Sequence, residues 1–219
     1  MKLGARLEAV LSAVPTGSAV ADVGTDHGKL SLELLRRKVA TRVIATDVSA
    51  PSLDKARRLI SSTEYAGYAD FRHGDGLSVI REAEVDVVVI SGMGGKEISK
   101  IVTAGPKFPY YVLSPQRDMD SVRRVMSRLG YTPQSEVTVK EDGKFYFVMT
   151  FAVGSCVLTD DEVFFGRHNL LNPSPEFIEY LDQKAHEYEV VSSENPGVSE
   201  LSQKANKYRQ VYKALNEGK

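Results

Sequence analysis

Along most of this chain, short β-branched runs hand over to stretches in which apolar residues recur every three or four positions. Ala19–Val23 reads as a strand, and residues 28–38 as the helix that follows it. Val43–Ala45 predicts a second strand ending at Asp47. Pro51 then opens a helix running to about Ser61, because proline fits a first helical turn. Ala69–Arg72 is a weaker strand. Val85–Ile90 is nearly all apolar, as a parallel strand covered on both faces should be. Gly94–Val102 predicts a helix, Tyr110–Leu113 a strand, and Asp118–Leu129 a helix with Met119, Val122, Met126 and Leu129 on one face. Ahead of all these, Leu3, Leu7, Val10, Leu11 and Val14 form a short amphipathic pattern with Arg6 and Glu8 between them.

The rhythm then changes. Glu136–Lys140 and Lys144–Val153 flank Glu141-Asp142-Gly143, a turn between two β-rich runs, which predicts an antiparallel hairpin at one edge of a parallel sheet. Seven mostly parallel strands ending in such a hairpin is the α/β layout of the Rossmann-like class I methyltransferases. Dehydrogenase domains usually continue in parallel. Beyond Gly154 the pattern is helical only. Phe177, Leu181, Lys184, Tyr188 and Val191 are spaced 4, 3, 4, 3, and after Asn195-Pro196-Gly197 the same spacing returns in Leu201, Ala205, Tyr208, Tyr212 and Leu215. The expected organisation is a Rossmann-like domain over residues 1–154 and a coiled-coil-like helical hairpin over 155–219. The hairpin has either a structural or dimerising role or one in recruiting substrate.

A chain of 219 residues holds one full α/β domain and a small appendage. Its net charge of −1 conceals an asymmetry: residues 1–154 carry 21 Lys and Arg against 18 Asp and Glu, and residues 155–219 carry 7 against 11. It is not an overtly basic nucleic-acid binder. Contact with RNA would rest on local patches, Arg36-Arg37-Lys38, Arg57-Arg58, and Arg123-Arg124 with Arg128, which solvated helix faces explain equally well. The single cysteine, Cys156, excludes an intramolecular disulfide and leaves no zinc cluster, so no metal is expected. The N-terminal pattern is neither a signal peptide nor a membrane span, which points to the cytoplasm.

The densest chemistry lies in Asp22-Val23-Gly24-Thr25-Asp26-His27-Gly28. It joins the first strand to its helix, where a nucleotide-like cofactor sits in doubly wound sheets. Asp26 and His27 break the dinucleotide G-x-G-x-x-G spacing. An acid there repels a pyrophosphate and suits a positively charged cofactor. Three successive strands end in acids: Asp22 with Asp26, then Asp47, then Asp75. Asp47 falls 19 residues past Gly28, where an acid accepts from ribose hydroxyls. Asp75, in His73-Gly74-Asp75-Gly76, can accept from an adenine amino group or cap a helix beginning at Gly76. Together these acids point to an adenosyl ligand. Ser91-Gly92-Met93-Gly94-Gly95 either brings backbone close to something bulky or is a flexible turn. The Asn/Asp-Pro-Pro-aromatic motif of many amino-group methyltransferases is absent there. In Ser114-Pro115-Gln116-Arg117, Gln116 can read a base edge and Arg117 can hold a phosphate, or both are plain loop residues.

Arg6-Leu7, Ala21 to Gly28, Arg72-His73-Gly74-Asp75-Gly76-Leu77, Gly92-Met93-Gly94-Gly95 and Glu141-Asp142-Gly143-Lys144-Phe145-Tyr146 resemble the bacterial TrmK family over most of residues 1–153. Those enzymes are S-adenosyl-L-methionine-dependent tRNA (adenine-N1) methyltransferases acting on adenine 22 in the D arm. One departure is Ser114-Pro115-Gln116 where the family pattern has Gln-Pro-Asn. It bears on base recognition and not on the cofactor. The resemblance implies cofactor contacts at Gly24, Asp26, Gly28, Asp47, Asp75, Gly76 and around Met93. With their neighbours, the candidate cofactor-binding set is Asp22, Gly24, Thr25, Asp26, His27, Gly28, Asp47, Val48, Gly74, Asp75, Gly76, Gly92, Met93 and Gly94. Asp26 is the candidate catalytic residue, a carboxylate near a purine that gains positive charge. N1 is buried in base pairing, so the target base must be unpaired or flipped, with Tyr146 or His27 as stacking candidates.

The expected partner is tRNA, at its D arm, and a monomer is favoured over an oligomer. Rival readings are a noncatalytic S-adenosylmethionine- and RNA-binding protein, a methyltransferase acting on another RNA or a small molecule, and an NAD-dependent oxidoreductase. The last is disfavoured by the missing glycine spacing and by Asp26.

Overall fold

A computed structural model describes residues 2–217; Met1 and residues 218–219, at the outer ends of the two expected domains, lie outside the described residues. Seven strands form one sheet: β1 (Ser18–Val23), β2 (Ala40–Asp47), β3 (Ala69–His73), β4 (Val87–Ser91), β5 (Tyr110–Ser114), β6 (Tyr131–Glu141) and β7 (Lys144–Val153). Their order is β3-β2-β1-β4-β5-β7-β6. The first five are parallel, and β7 runs antiparallel to both β5 and β6. This is the Rossmann-like methyltransferase layout expected from the strand pattern.

The β-branched runs become strands because both faces are covered. Val20, Val43, Val87, Val89, Val112 and Val148 join one buried cluster with residues of α1 (Ala5–Ser12), α2 (Lys29–Arg36) and α3 (Ala50–Ser61). Ala21, Val88, Ile90, Tyr111 and Leu113, of opposite parity along the same strands, are buried as well. The chain continues through α4 (Gly95–Ala104) and α5 (Met119–Arg128), which pack on each other.

Register positions the ligand edge. Val23 stands opposite both Thr46 and Ile90, Asp47 opposite His73, and Ser91 opposite Ser114, so the strand ends lie in one row. Strand order reverses between β1 and β4. That switch point is where open α/β sheets bind ligands.

Several local readings change; among them, the fourth strand begins at Val87 rather than Val85. β6 begins at Tyr131, five residues ahead of the expected Glu136, and contains Pro133. Proline is tolerated because β6 is an edge strand whose register shifts between Pro133 and Ser135. No helix starts at Gly76. The β3–β4 connection is built of turns, with Leu77 and Ile80 buried and Ser78 bonded through N and Oγ to the Asp75 carbonyl. The Asp75 carboxylate therefore caps no helix.

A further change concerns residues 155–167. They contain α6 (Asp160–Phe165), which starts at a capping box between Thr159 and Glu162. Arg123 of α5, expected on a basic surface patch, is buried. It donates from Nε to Glu136 Oε1 at 2.6 Å and from Nη1 to the Val163 and Phe164 carbonyls at 2.9 Å. These bonds tie α6 to the sheet domain, and along the sequence the boundary of the two compact units falls between Arg167 and His168.

Within the second unit, α8 (Pro175–Glu194) and α9 (Ser199–Glu217) pair as an antiparallel hairpin; the short α7 (Arg167–Leu171) precedes them. Phe177, Leu181, Ala205 and Tyr208 are buried, and the Tyr180 and Tyr208 hydroxyls lie 3.2 Å apart. Arg209 bridges Asp182 and Glu189. Val191, expected in the seam, is exposed near the tip. Among the described residues no helix is long and apolar enough to cross a membrane.

Candidate active site

A cavity of about 490 Å³ opens where β1 and β4 part. Of the fourteen candidate cofactor residues, Asp22, Gly24, Thr25, Asp26, His27, Asp47, Val48, Gly74, Asp75, Gly76, Gly92 and Met93 line it. Gly28 and Gly94 do not. Gly28 caps α2 and packs against Ala56, and Gly94 lies beside the Arg117 side chain. The lining also takes in residues that periodicity did not single out for the site: Arg6, Thr46, Glu97 and Ile101. Glu97 and Ile101 are one turn apart on α4, a spacing that puts both on one helical face. Gln116 lines the cavity too, with its backbone N–H bonded to the Met93 carbonyl.

The loop after β1 is held from three sides. Gly24 and Thr25 both donate backbone N–H groups to the Thr46 carbonyl at 2.9 Å. Gly24 has φ +73°, a left-handed backbone that favours glycine, and the Met93 methyl group occupies the space where a Cβ would be. Asp22 is buried, and its Oδ2 accepts from Thr25 Oγ1 at 2.8 Å and Ser31 Oγ at 2.6 Å. Burial pushes its carboxyl above the usual range, and the two hydroxyls only partly offset this. Asp22 thus braces the loop with one oxygen while facing the cavity.

Asp47 accepts the Asp26 N–H on Oδ2 at 3.0 Å and the Ser49 N–H on Oδ1 at 2.8 Å. Each oxygen keeps a further lone pair for a ligand hydroxyl. The Asp26 carboxylate is exposed and pairs with His27 Nδ1 at 2.8 Å, while His27 Nε2 lies 3.2 Å from Lys55 Nζ. The His73 ring donates to the Val48 carbonyl at 2.9 Å, fixing the turn between β2 and α3. The Asp75 carboxylate is exposed and has no bonding partner among the described residues.

The glycine-rich corner after β4 has a split explanation. A Cβ on Gly95 would strike the Arg117 and Asp118 carbonyl oxygens, so that glycine admits the neighbouring loop rather than a ligand. Gly92 and Met93 face the cavity. Tyr146, a stacking candidate, lies under the Arg6 guanidinium, 5.6 Å from ring centroid to Cζ. Of the basic patches, Arg36 and Arg37 are both paired with Glu33, and Arg57 with Asp54.

The chain matches a family model of the methyltransferase domain over residues 3–149. It is 31% identical over 158 residues to the tRNA (adenine(22)-N(1))-methyltransferase of Bacillus subtilis (strain 168), covering 70% of this chain and 66% of that protein. A Streptococcus pneumoniae structure, a candidate tRNA (m1A22) methyltransferase in complex with S-adenosyl-L-methionine, superposes with a TM-score of 0.90 at 27% identity. The match covers 96% of this chain and all of that one. The chain belongs to the TrmK family of methyltransferases. The B. subtilis TrmK crystal structure shares the fold, with a TM-score of 0.83 at 24% identity over 99% of this chain and 98% of that one. The matched segment spans about two thirds of the curated Bacillus relative's own length. In this methyltransferase the sheet, its terminal hairpin and the cavity all lie within the first compact unit.

Proposed function

We propose that the protein transfers a methyl group from S-adenosylmethionine to N1 of adenine 22 in the D arm of tRNA. The observation that carries this reading is the cavity at the switch point, where the Asp47 and Asp75 carboxylates and the Gly24 loop share one wall. Its size lies in the range for small-molecule sites, roughly 300–1,000 Å³. Its acids suit a ligand with hydroxyl and amino donors and a positive centre. The residues present therefore fit S-adenosylmethionine, which the Streptococcus pneumoniae structure holds; a structure of M. capricolum TrmK holds its product, S-adenosylhomocysteine.

In this reading Asp47 accepts from the ribose hydroxyls, the Asp75 carboxylate from the adenine amino group, and the glycine loop lets backbone approach closely. When bound, the cofactor supplies an electrophilic methyl group on a sulfonium. The protein has no proton to remove from its target, because adenine N1 is unprotonated at neutral pH. Its task is alignment and a suitable field. Asp26 places a negative charge at the cavity wall, where it stabilises positive charge developing on the purine. Gln116 stands at the same wall with its amide available to a base edge. His27, half-buried, remains the stacking candidate, since one face of Tyr146 is occupied by Arg6.

The helical hairpin holds tRNA, and the enzyme works as a cytoplasmic monomer. Incubation with methyl-labelled S-adenosylmethionine and unmodified tRNA, followed by digestion to nucleosides, tests the reaction. 1-Methyladenosine is the expected product. Label in N6-methyladenosine alone, or none at all, contradicts the reading.

A further inference from the structure

One charged side chain in the cavity wall is left with an unmet bond. Arg6 enters the wall from the first turn of α1, with its backbone N–H bonded to Glu141 Oε2 at 2.7 Å. Its guanidinium rests on the Tyr146 ring, which restrains the planar group from below. Nη1 is buried and has no hydrogen-bond partner. It stands beside Gly92, 3.7 Å from where a Cβ on that residue would be. A buried guanidinium N–H without an acceptor is costly, and a charged acceptor relieves that cost more than a neutral one. The acids of the wall, Asp22, Asp26, Asp47, Asp75 and Glu97, do not reach it.

We infer that Arg6 binds the carboxylate at the amino-acid end of the cofactor. The inference rests on the S-adenosylmethionine reading of the cavity. Across the sheet the wall presents Asp75 after β3, Asp47 after β2, Gly24 after β1, and Arg6 beside Gly92 after β4. The cofactor carries adenine, ribose, sulfonium and amino-acid carboxylate in that same order. The anion-binding group thus lies at the end of the row where the ligand's own anion falls. Lys29, another cation of the wall, is exposed to solvent and less suited to a desolvated ion pair. The rival ligand for Arg6 is a phosphate of the RNA.

Calorimetric titration of the full chain separates these. S-adenosylhomocysteine has the carboxylate, whereas 5′-methylthioadenosine keeps adenosine and sulfur and lacks it. In Arg6→Gln the affinity for S-adenosylhomocysteine should fall by about tenfold to a hundredfold, as for loss of a charge-assisted bond. Affinity for 5′-methylthioadenosine should hardly change. Decarboxylated S-adenosylhomocysteine should bind the unaltered protein weakly, with no further loss in Arg6→Gln, because the two deletions remove the same interaction. Equal affinity of the unaltered protein for the two forms of S-adenosylhomocysteine overturns the inference without any variant. So does an Arg6→Gln protein that binds S-adenosylhomocysteine normally but binds tRNA poorly, which assigns Arg6 to a phosphate. If the unaltered protein binds neither adenosyl ligand, the cofactor reading itself fails, and the inference with it.

Discussion

The backbone N–H of Asp26 donates to Asp47 Oδ2 at 3.0 Å, so a carboxylate at the end of β2 holds the loop that follows β1. Asp26 sits at φ +52°, a left-handed conformation that aspartate tolerates better than most side chains. Asp47 therefore serves twice: it fixes the loop, and it keeps lone pairs for a ligand.

Removing that carboxylate should be felt in both roles. Asp47→Ala is expected to weaken S-adenosylhomocysteine binding about tenfold or more and to lower unfolding stability by about 1–3 kcal/mol. Asp47→Asn, which retains an acceptor, should lose less of each. Calorimetry and urea denaturation measure the two effects, and an alanine variant with normal affinity would remove Asp47 from the site.

Asp26 can be tested without disturbing its backbone bond. In Asp26→Asn the N–H that meets Asp47 and a side chain that tolerates the left-handed backbone are both retained, so kcat for methyl transfer should fall about tenfold or more, a larger loss than that in cofactor affinity. Single-turnover rates with saturating tRNA make the comparison. Unchanged turnover would exclude the carboxylate from the reaction.

The parts of this site that sequence displays are those carried by short-range pattern. β-branched runs through Asp22 and up to Asp47, and a weaker apolar run before the Gly74-Asp75 pair, mark the strands, their carboxyl ends and the acids near them. What it hides is set by partners distant along the chain. Arg6 looks like one polar position of an amphipathic helix, because Tyr146 and Gly92, which define its place, are far away in sequence. Arg123 reads as part of a basic run, yet Glu136 and the α6 carbonyls bury it. Pro133 and Gly130 argue against a strand before Glu136, and only the edge position of β6 allows one.

The Arg123 linkage gives a stability prediction. Both side chains of the Arg123–Glu136 pair are almost fully buried. Arg123→Ala strands a buried carboxylate and unpairs two carbonyls, at an expected loss of about 3–5 kcal/mol. Arg124→Ala, on the exposed neighbour, should stay within about 0.5 kcal/mol of the unaltered protein. Chemical denaturation that found equal losses would contradict the burial of Arg123.

Acid sensitivity should trace in part to Glu33. Hydrogen bonds from Arg36, and then Arg37, hold its buried carboxyl down from 4.5 to about 2. A carboxyl depressed in the folded state contributes its full stability above the unfolded value and loses it as pH falls through the folded one. Between about pH 5 and pH 2 the unaltered protein should therefore lose on the order of 1–3 kcal/mol more than Glu33→Gln. Parallel stability–pH curves for the two proteins would show that the Arg36 and Arg37 contacts do not hold in solution.

The most direct test of the central claim is position-resolved methylation of paired tRNA transcripts, one with adenine at position 22 and one with guanine there. The account predicts 1-methyladenosine at position 22 of the first transcript and no methyl transfer to the second. Equal transfer to both, or 1-methyladenosine at another position, would contradict it.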